Sequence, residues 1–233
     1  MRNIKAVFKK QMLSFFKNPA FYGAPFFFLL LPLLFIILIP GAAYDRAAIV
    51  SQFVTIFIGI SMIGTAAGFI AEDRSTMNLR FMSMAGVKPH QYLIGSAGAL
   101  LIISLGANVY FGLLSGHSGH VLLSFLSIAM LGVINSLLLG ITFGLSRLAN
   151  FTMVVALVLG IGSVFSDINE TLSRIFYFTF THQVNTAVRG DLSGGLARTY
   201  QMLLINMAVL LVLFLLTNIR SGLDGDRVPK KGK

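Results

Sequence analysis

The sequence predicts an all-α protein that crosses a membrane several times, and both composition and patterning support this fold class. Hydrophobic residues make up 56% of the 233 positions and charged residues only 11%, whereas about a quarter of the residues of a soluble domain are charged. The apolar residues fall into long runs, and a helix needs roughly 20 such residues to cross the hydrocarbon core. Basic residues gather in the two tails, so the net charge of +10 suits an anionic membrane surface rather than nucleic acid.

Residues 1–19 are predicted to form an amphipathic helix at the membrane interface. Apolar side chains share one helical face, and the lysines lie on the flank and reverse of that face. The apolar set is Ile4, Val7, Phe8, Met12 and Phe15, and the basic set is Lys5, Lys9, Lys10 and Lys17. A basic helix of this kind lies in the plane of the head groups. The alternative is a solvated N-terminal tail.

Six apolar blocks follow, and they predict a six-helix bundle over residues 20–218 with a basic cytosolic tail at 219–233, all in a single transmembrane domain. The blocks lie at residues 21–39, 49–71, 92–114, 121–145, 151–165 and 202–217. The fifth block is short for a full crossing. Small residues at 64–68 and 140–144 predict faces where helices approach closely in lipid.

The distribution of basic residues predicts the orientation of the bundle. With both termini inside, the inner segments hold the tail charges together with Arg74, Arg80, Lys88 and Arg147. The outer segments hold only Arg46, Arg174, Arg189 and Arg198. Because cytoplasmic loops carry the excess of basic residues, we expect both termini in the cytoplasm and the chain in the cell membrane.

Residues 72–91 form the longest charged interruption among the first apolar blocks. Met77, Phe81 and Met84 recur at helical spacing, and Gly86 and Pro89 end the pattern. The segment is too short to span a bilayer. It is therefore predicted to form a short amphipathic helix at the water boundary, where it can present a surface to a soluble partner.

Residues 173–186 precede the last apolar block and combine aromatic side chains with a polar continuation. The segment is too hydrophobic for an ordinary exterior loop and too broken for a crossing. We predict a pair of short helices that dip into the outer leaflet, because irregular backbone at membrane depth must be shielded by protein. Phe178, His182 and Arg189 are its candidate site residues. The alternative is a structured loop on the outer surface.

Chemical motifs of enzymes and motors are missing from the sequence. It contains no phosphate-binding loop, no His-Glu-x-x-His pair and no Gly-x-Ser-x-Gly elbow. His117 and His120 fall short of a metal-ligand set. No acidic residue lies at the centre of a predicted span, which argues against an ion-driven transporter. We expect no catalytic residue, metal or cofactor in this chain.

The order of these features resembles the membrane subunit of type-2 ATP-binding-cassette (ABC) exporters, the ABC-2 permease family. Residues 71–87 are similar to the cytosolic segment that follows the family's second span, with Ser75-Thr76 where the family has Gly-Thr. Residues 88–96 resemble the stretch where the family re-enters the membrane, and residues 180–190 resemble the segment before its last span. The resemblance covers essentially the whole chain.

The resemblance implies a permease that pairs with a second permease, identical or paralogous, on two copies of a cytosolic ABC ATPase that binds ATP and magnesium. The interface helix and the loop after the second span would dock on that ATPase. The coupling residues implied are Glu72, Asp73, Arg74, Leu79, Arg80, Phe81, Met82 and Met84, with Lys5, Phe8, Lys9 and Met12 on the interface helix. The apolar spans point to export of an amphipathic substrate such as an antimicrobial peptide, drug or lipid-like molecule. Alternatives are a scaffold or immunity protein without transport, and a polysaccharide-export permease.

Overall fold

The computed structural model describes residues 2–38, 46–145, 151–166, 168–189 and 196–221, and it is helical throughout these parts of the chain apart from short turns. The helices are α1 (Arg2–Lys17), α2 (Pro19–Leu38), α3 (Arg46–Ile56), α4 (Ile63–Ser75), α5 (Asn78–Met84), α6 (Pro89–Leu114), α7 (Gly119–Leu145), α8 (Thr152–Phe165), α9 (Glu170–Phe176), α10 (Phe180–Arg189) and α11 (Ala197–Ser221), with a π-helical segment (Phe57–Met62) between α3 and α4. The predicted all-α fold class is confirmed.

Five helical segments among the described residues are long and apolar enough to cross a membrane, which fits a multi-pass membrane protein. They are Pro19–Leu38, Arg46–Ser75, Pro89–Leu114, Gly119–Leu145 and Ala197–Thr217. The block predicted as the fifth crossing forms α8, which has 14 residues and is therefore about 21 Å long. The hydrocarbon core is about 30 Å thick, so α8 alone does not match it.

The continuous helix Arg46–Ser75, which joins α3, the π-helical segment and α4, occupies the centre of the bundle. In its apolar stretch, 83% of the residues are buried. The helix α2 runs antiparallel to it, because the ring of Phe21 packs edge-on against Phe69 near one end and the ring of Phe35 packs against Phe53 nearer the other. Aromatic pairs thus fix α2 against the central helix along much of its length.

The helix α7 runs parallel to the central helix and packs on it through small residues. The hydroxyl of Ser136 donates a hydrogen bond of 2.7 Å to the carbonyl oxygen of Ile58 in the π-helical segment. A Cβ atom on Gly140 would lie 2.6 Å from the carbonyl oxygen of Ile63, so no larger residue fits there without displacing backbone. The close packing predicted for the glycine-rich faces is confirmed at this contact.

The helix α8 runs antiparallel to the central helix. Met153, at its start, lies against Gly64, and Gly160 lies against Gly59, where an added Cβ would be 2.7 Å from the Gly160 Cα. The helix α11 starts at the same end of the bundle as α7, because the hydroxyls of Ser127 and Tyr200 are hydrogen-bonded. Between the described end of α7 and the start of α11, the chain therefore returns to the end at which α7 began.

The segment predicted as one short helix is divided between two elements. Glu72 to Ser75 form the last turn of α4, and α5 begins only at Asn78. The break lies at Met77, whose φ of 56° is left-handed, a conformation that side chains other than glycine seldom adopt. The next helix, α6, begins at Pro89, because proline suits the first helical turn, where its missing N–H costs nothing.

Candidate docking surface at the basic end of the bundle

One end of the bundle, which we call the basic end, contains the end of α4, the beginning of α6 and the helix α1 packed beside them. At this end, the short helix α5 exposes apolar side chains. Met77, Phe81 and Met84 are 60%, 62% and 66% exposed. Leu79 and Met82 turn the other way and pack against the apolar core. The short helix is thus seated on the bundle by one face and presents the other face outward.

Asp73 fixes this surface to the bundle, as the centre of a polar cluster formed with Lys10, Gln11, Asn78 and Tyr92. The carboxylate is 3% exposed and forms an ion pair with Lys10. Its Oδ2 atom accepts hydrogen bonds from Gln11 Nε2 at 2.9 Å and from the Tyr92 hydroxyl at 2.8 Å. Its Oδ1 atom accepts a longer bond, 3.3 Å, from Asn78 Nδ2. Because these donors lie on α1, α5 and α6, one carboxylate joins three helices to the end of α4.

The neighbouring charges also form bonds within the chain. Arg74 Nη1 donates to the carbonyl oxygens of Gly144 at 3.2 Å and Leu145 at 3.0 Å, at the end of α7. A cation at this position satisfies unpaired carbonyls and complements the helix dipole. Glu72 accepts a hydrogen bond from Asn18 Nδ2 at 3.4 Å. Arg80, on α5, is exposed.

The interface helix α1 packs alongside the beginning of α6 in the same direction. Asn3 Nδ2 donates to Gln91 Oε1 at 3.2 Å, Val7 lies against Gly95, and Phe8 lies against Gly98. The apolar face predicted for α1 therefore has a protein partner. Its orientation relative to a membrane stays a prediction.

The remaining residues predicted for α1 divide between the surface and a cavity. Lys5 and Lys9 are exposed, as expected for the basic face. Met12 lines an apolar cavity between α1, α2 and α6. The structure thus brings Asp73, Arg74 and the interface helix together at one end, and it leaves Phe81, Met84 and Arg80 facing outward from that end.

The predicted pair of short helices before the last span is present as α9 and α10. Phe178, between them, is exposed, whereas most residues of α10 are buried, including His182. Hydroxyls join α10 to α8: the Oγ atoms of Ser163 and Thr181 are 2.6 Å apart. Arg189 is exposed at the end of α10. Polar residues of α10 therefore pack inside the bundle, and the depth of α9 and α10 in a membrane stays a prediction.

Ser166 and His182 form the described contact that most resembles a catalytic pair, with Ser166 Oγ 2.8 Å from His182 Nδ1. Ser166 Oγ also lies 2.6 Å from the carbonyl oxygen of Ser163, which can only accept a hydrogen bond. Because a hydroxyl has a single proton, Ser166 donates that proton to the carbonyl and accepts from the imidazole. This arrangement holds the histidine in place and does not activate a nucleophile.

Sequence reasoning missed three partners of Asp73, namely Lys10, Gln11 and Tyr92. A signal was present for Gln11, which continues the stripe of Val7 and Phe15 at helical spacing and is buried with them. A polar residue on an apolar stripe indicates a buried hydrogen-bond partner. No comparable local signal marks Lys10, which lies among other lysines.

No protein-family model matches the chain, and a search of the curated proteins gives no match.

Proposed function

We propose that this chain is the permease subunit of an ATP-binding-cassette exporter of the ABC-2 type, which moves an amphipathic substrate out of the cell. The observation that carries the proposal is the exposed apolar face of α5, with Phe81 and Met84, on a helix outside the spans. An apolar surface of this kind at the aqueous end of a membrane protein suits a protein partner. That partner is a cytosolic ATPase subunit, present in two copies.

The anchoring of α5 supports a role in transmitting force. Through Asp73 and Asn78, α5 is connected to α1 and α6, and Arg74 joins the same end to α7. A displacement of α5 by a partner is therefore passed to several helices at once rather than absorbed by a loose loop. This is the mechanical property that a coupling helix requires.

The distribution of charged side chains in the described spans supports an energy source that lies outside this chain. Asp73 is the one carboxylate among the described buried residues, and it lies at the basic end with Lys10 as partner. Ion-coupled transporters use acidic side chains at membrane depth as carriers. We therefore assign the energy to ATP hydrolysed by the partner, which binds the nucleotide and magnesium.

Reconstitution tests this function. The chain is co-expressed with candidate ATPase subunits, purified, and placed in vesicles with amphipathic peptides and drugs. We expect a complex whose ATP hydrolysis is stimulated by a transported compound, and whose transport stops when the ATPase carries an inactive nucleotide site. Transport by the permease alone, or a stable complex that hydrolyses ATP without moving any compound, would contradict the proposal in favour of a different carrier or a scaffold.

We propose that the chain crosses the membrane six times, with α8 as a short fifth crossing, α9 and α10 as an outer segment that dips into the outer leaflet, and both termini in the cytoplasm. The return of the chain between α7 and α11 supports this topology. Because the sequence contains no cysteine, single cysteines can report it. Lys88→Cys and Arg227→Cys should react with a membrane-impermeant reagent only after the cells are opened. His117→Cys and Arg189→Cys should react in intact cells, and labelling of Lys88→Cys in intact cells would contradict the topology.

We propose that two permeases meet through the first and fifth crossings and the outer segment. The helix α8 supports this, because it is short and exposes apolar side chains that include Val154 and Val158 at 56% and 53%. Val154→Cys and Val158→Cys should form cross-linked dimers in membranes. Leu105→Cys on α6, exposed at 43%, is the matched control and should remain monomeric. Dimers from α6 alone would show that a different face pairs.

A further inference from the structure

An apolar cavity of about 290 Å³ lies between α1, α2 and α6 near the end of α1. Its wall includes Met12 and Phe16 from α1, Phe26 from α2, and Ile102 and Gly106 from α6, and every residue that lines it is apolar. Among these, the side chains of Phe16, Phe26 and Ile102 are largely exposed. An exposed apolar opening of this kind is typical of a surface that contacts a membrane or another protein.

Basic side chains lie on the same part of α1 as this cavity. Lys9 precedes Met12 by three residues and Phe16 by seven, and residues at these spacings share one helical face. Lys17 is the last residue of α1 and lies about 100° around the helix from Phe16. Lys10 is neutralised by Asp73, whereas Lys9 and Lys17 form no ion pair with any described residue. The ammonium group of Lys9, which forms no ion pair with any described residue, thus lies on the helix face that borders the apolar cavity.

We propose that this cavity holds one acyl chain of an anionic phospholipid whose phosphate is bound by Lys9 and Lys17. A phospholipid supplies both parts of the site, an apolar chain for the cavity and a negative charge for the lysines. A second copy of this chain fits less well, because the sequence holds 8 acidic residues against 18 basic ones. The site is independent of the proposed export function.

Tryptophan fluorescence can test this site, because the chain contains no tryptophan. Phe16→Trp, or Ile102→Trp if that variant folds poorly, places a single reporter at the cavity. Leu204→Trp, on an exposed position of α11, serves as the control. The proteins are reconstituted in phosphatidylcholine vesicles that contain brominated phosphatidylglycerol or brominated phosphatidylcholine. At the cavity, brominated phosphatidylglycerol should quench at least about fivefold more effectively, because each basic side chain near an anionic surface contributes roughly a factor of five. At Leu204→Trp both lipids should quench equally.

Two further variants separate the lysines from the cavity. Lys9→Gln with Lys17→Gln should remove the preference for the anionic lipid and leave quenching by phosphatidylcholine unchanged. Gly106→Leu fills the cavity, and a Cβ at Gly106 meets no atom within 4 Å, so the fold should tolerate it while the preference is lost. Equal quenching by both lipids at the cavity, or the same preference at Leu204→Trp, would overturn the proposal. Weak quenching by both lipids at the cavity, with ordinary quenching at Leu204→Trp, would show that protein covers the cavity and would also overturn the proposal.

Discussion

Replacement of Asp73 by alanine is expected to lower the free energy of unfolding by about 3 kcal/mol, since removing one partner of a buried ion pair costs roughly 3–5 kcal/mol. We expect the lower end of this range because the Lys10 side chain is 35% exposed, so its ammonium group is solvated by water once the carboxylate is removed. Gln11 and Tyr92, which are buried, lose an acceptor at the same time. Unfolding of the detergent-solubilised protein, followed by circular dichroism, measures the change. Trypsin should also cleave the lysines of α1 faster once α1 is released.

The matched control is Glu170→Ala, which removes the ion pair with Arg174. Both side chains of that pair are at least 80% exposed, so the variant should change stability by no more than about 0.5 kcal/mol. Asp73→Asn keeps one acceptor oxygen and should fall between the two. A loss for Asp73→Ala no larger than that for Glu170→Ala would show that the cluster does not hold α1.

The helices of this fold were predictable from local pattern, because apolar periodicity and chain breaks act within a few residues. The spacing of Met77, Phe81 and Met84 predicted a helix, and α5 contains the last two. The burial of Asp73 also had a local signal that the prediction did not use. Asp73 follows Phe69 and Ile70 at helical spacing, and those residues are buried. It therefore continues the inward face of α4, whereas Glu72 lies about 100° away.

The partners of α10 could not be predicted, because they depend on how distant segments meet. Thr181 bonds to Ser163 of α8 inside the bundle, and a Cβ on Gly132 of α7 would touch Val184. Hydrogen bonds between hydroxyl groups on distant helices depend on how the helices meet, and they produce no periodic pattern in the sequence. The shortness of α8 was visible in the sequence, but its packing against the π-helical segment at Gly59 was not.

The largest functional effect is expected at the exposed face of α5. Phe81→Ala should weaken binding of the ATPase by roughly 10- to 100-fold, because burial of a large apolar side chain contributes about 1.5–3 kcal/mol. Met84→Asp should do the same and add the cost of placing a charge in an apolar contact. Because both side chains are more than 60% exposed, neither change should unfold the permease. Pull-down of the ATPase, measured beside substrate efflux from vesicles, gives the result.

Two neighbours on the same helix separate docking from folding. Arg80→Glu reverses an exposed charge and should weaken binding by no more than about fivefold, since an exposed ion pair is worth roughly 0–1 kcal/mol. Leu79→Ala removes a side chain that packs against the core, so its effect should appear first as lower thermal stability. The substitutions at Phe81 and Met84 should therefore weaken binding of the ATPase more than the substitution at Arg80 does. If both apolar variants bind and export as the unmodified chain does, α5 is a plain connector, and the proposed ABC-2 permease function loses its main mechanistic support.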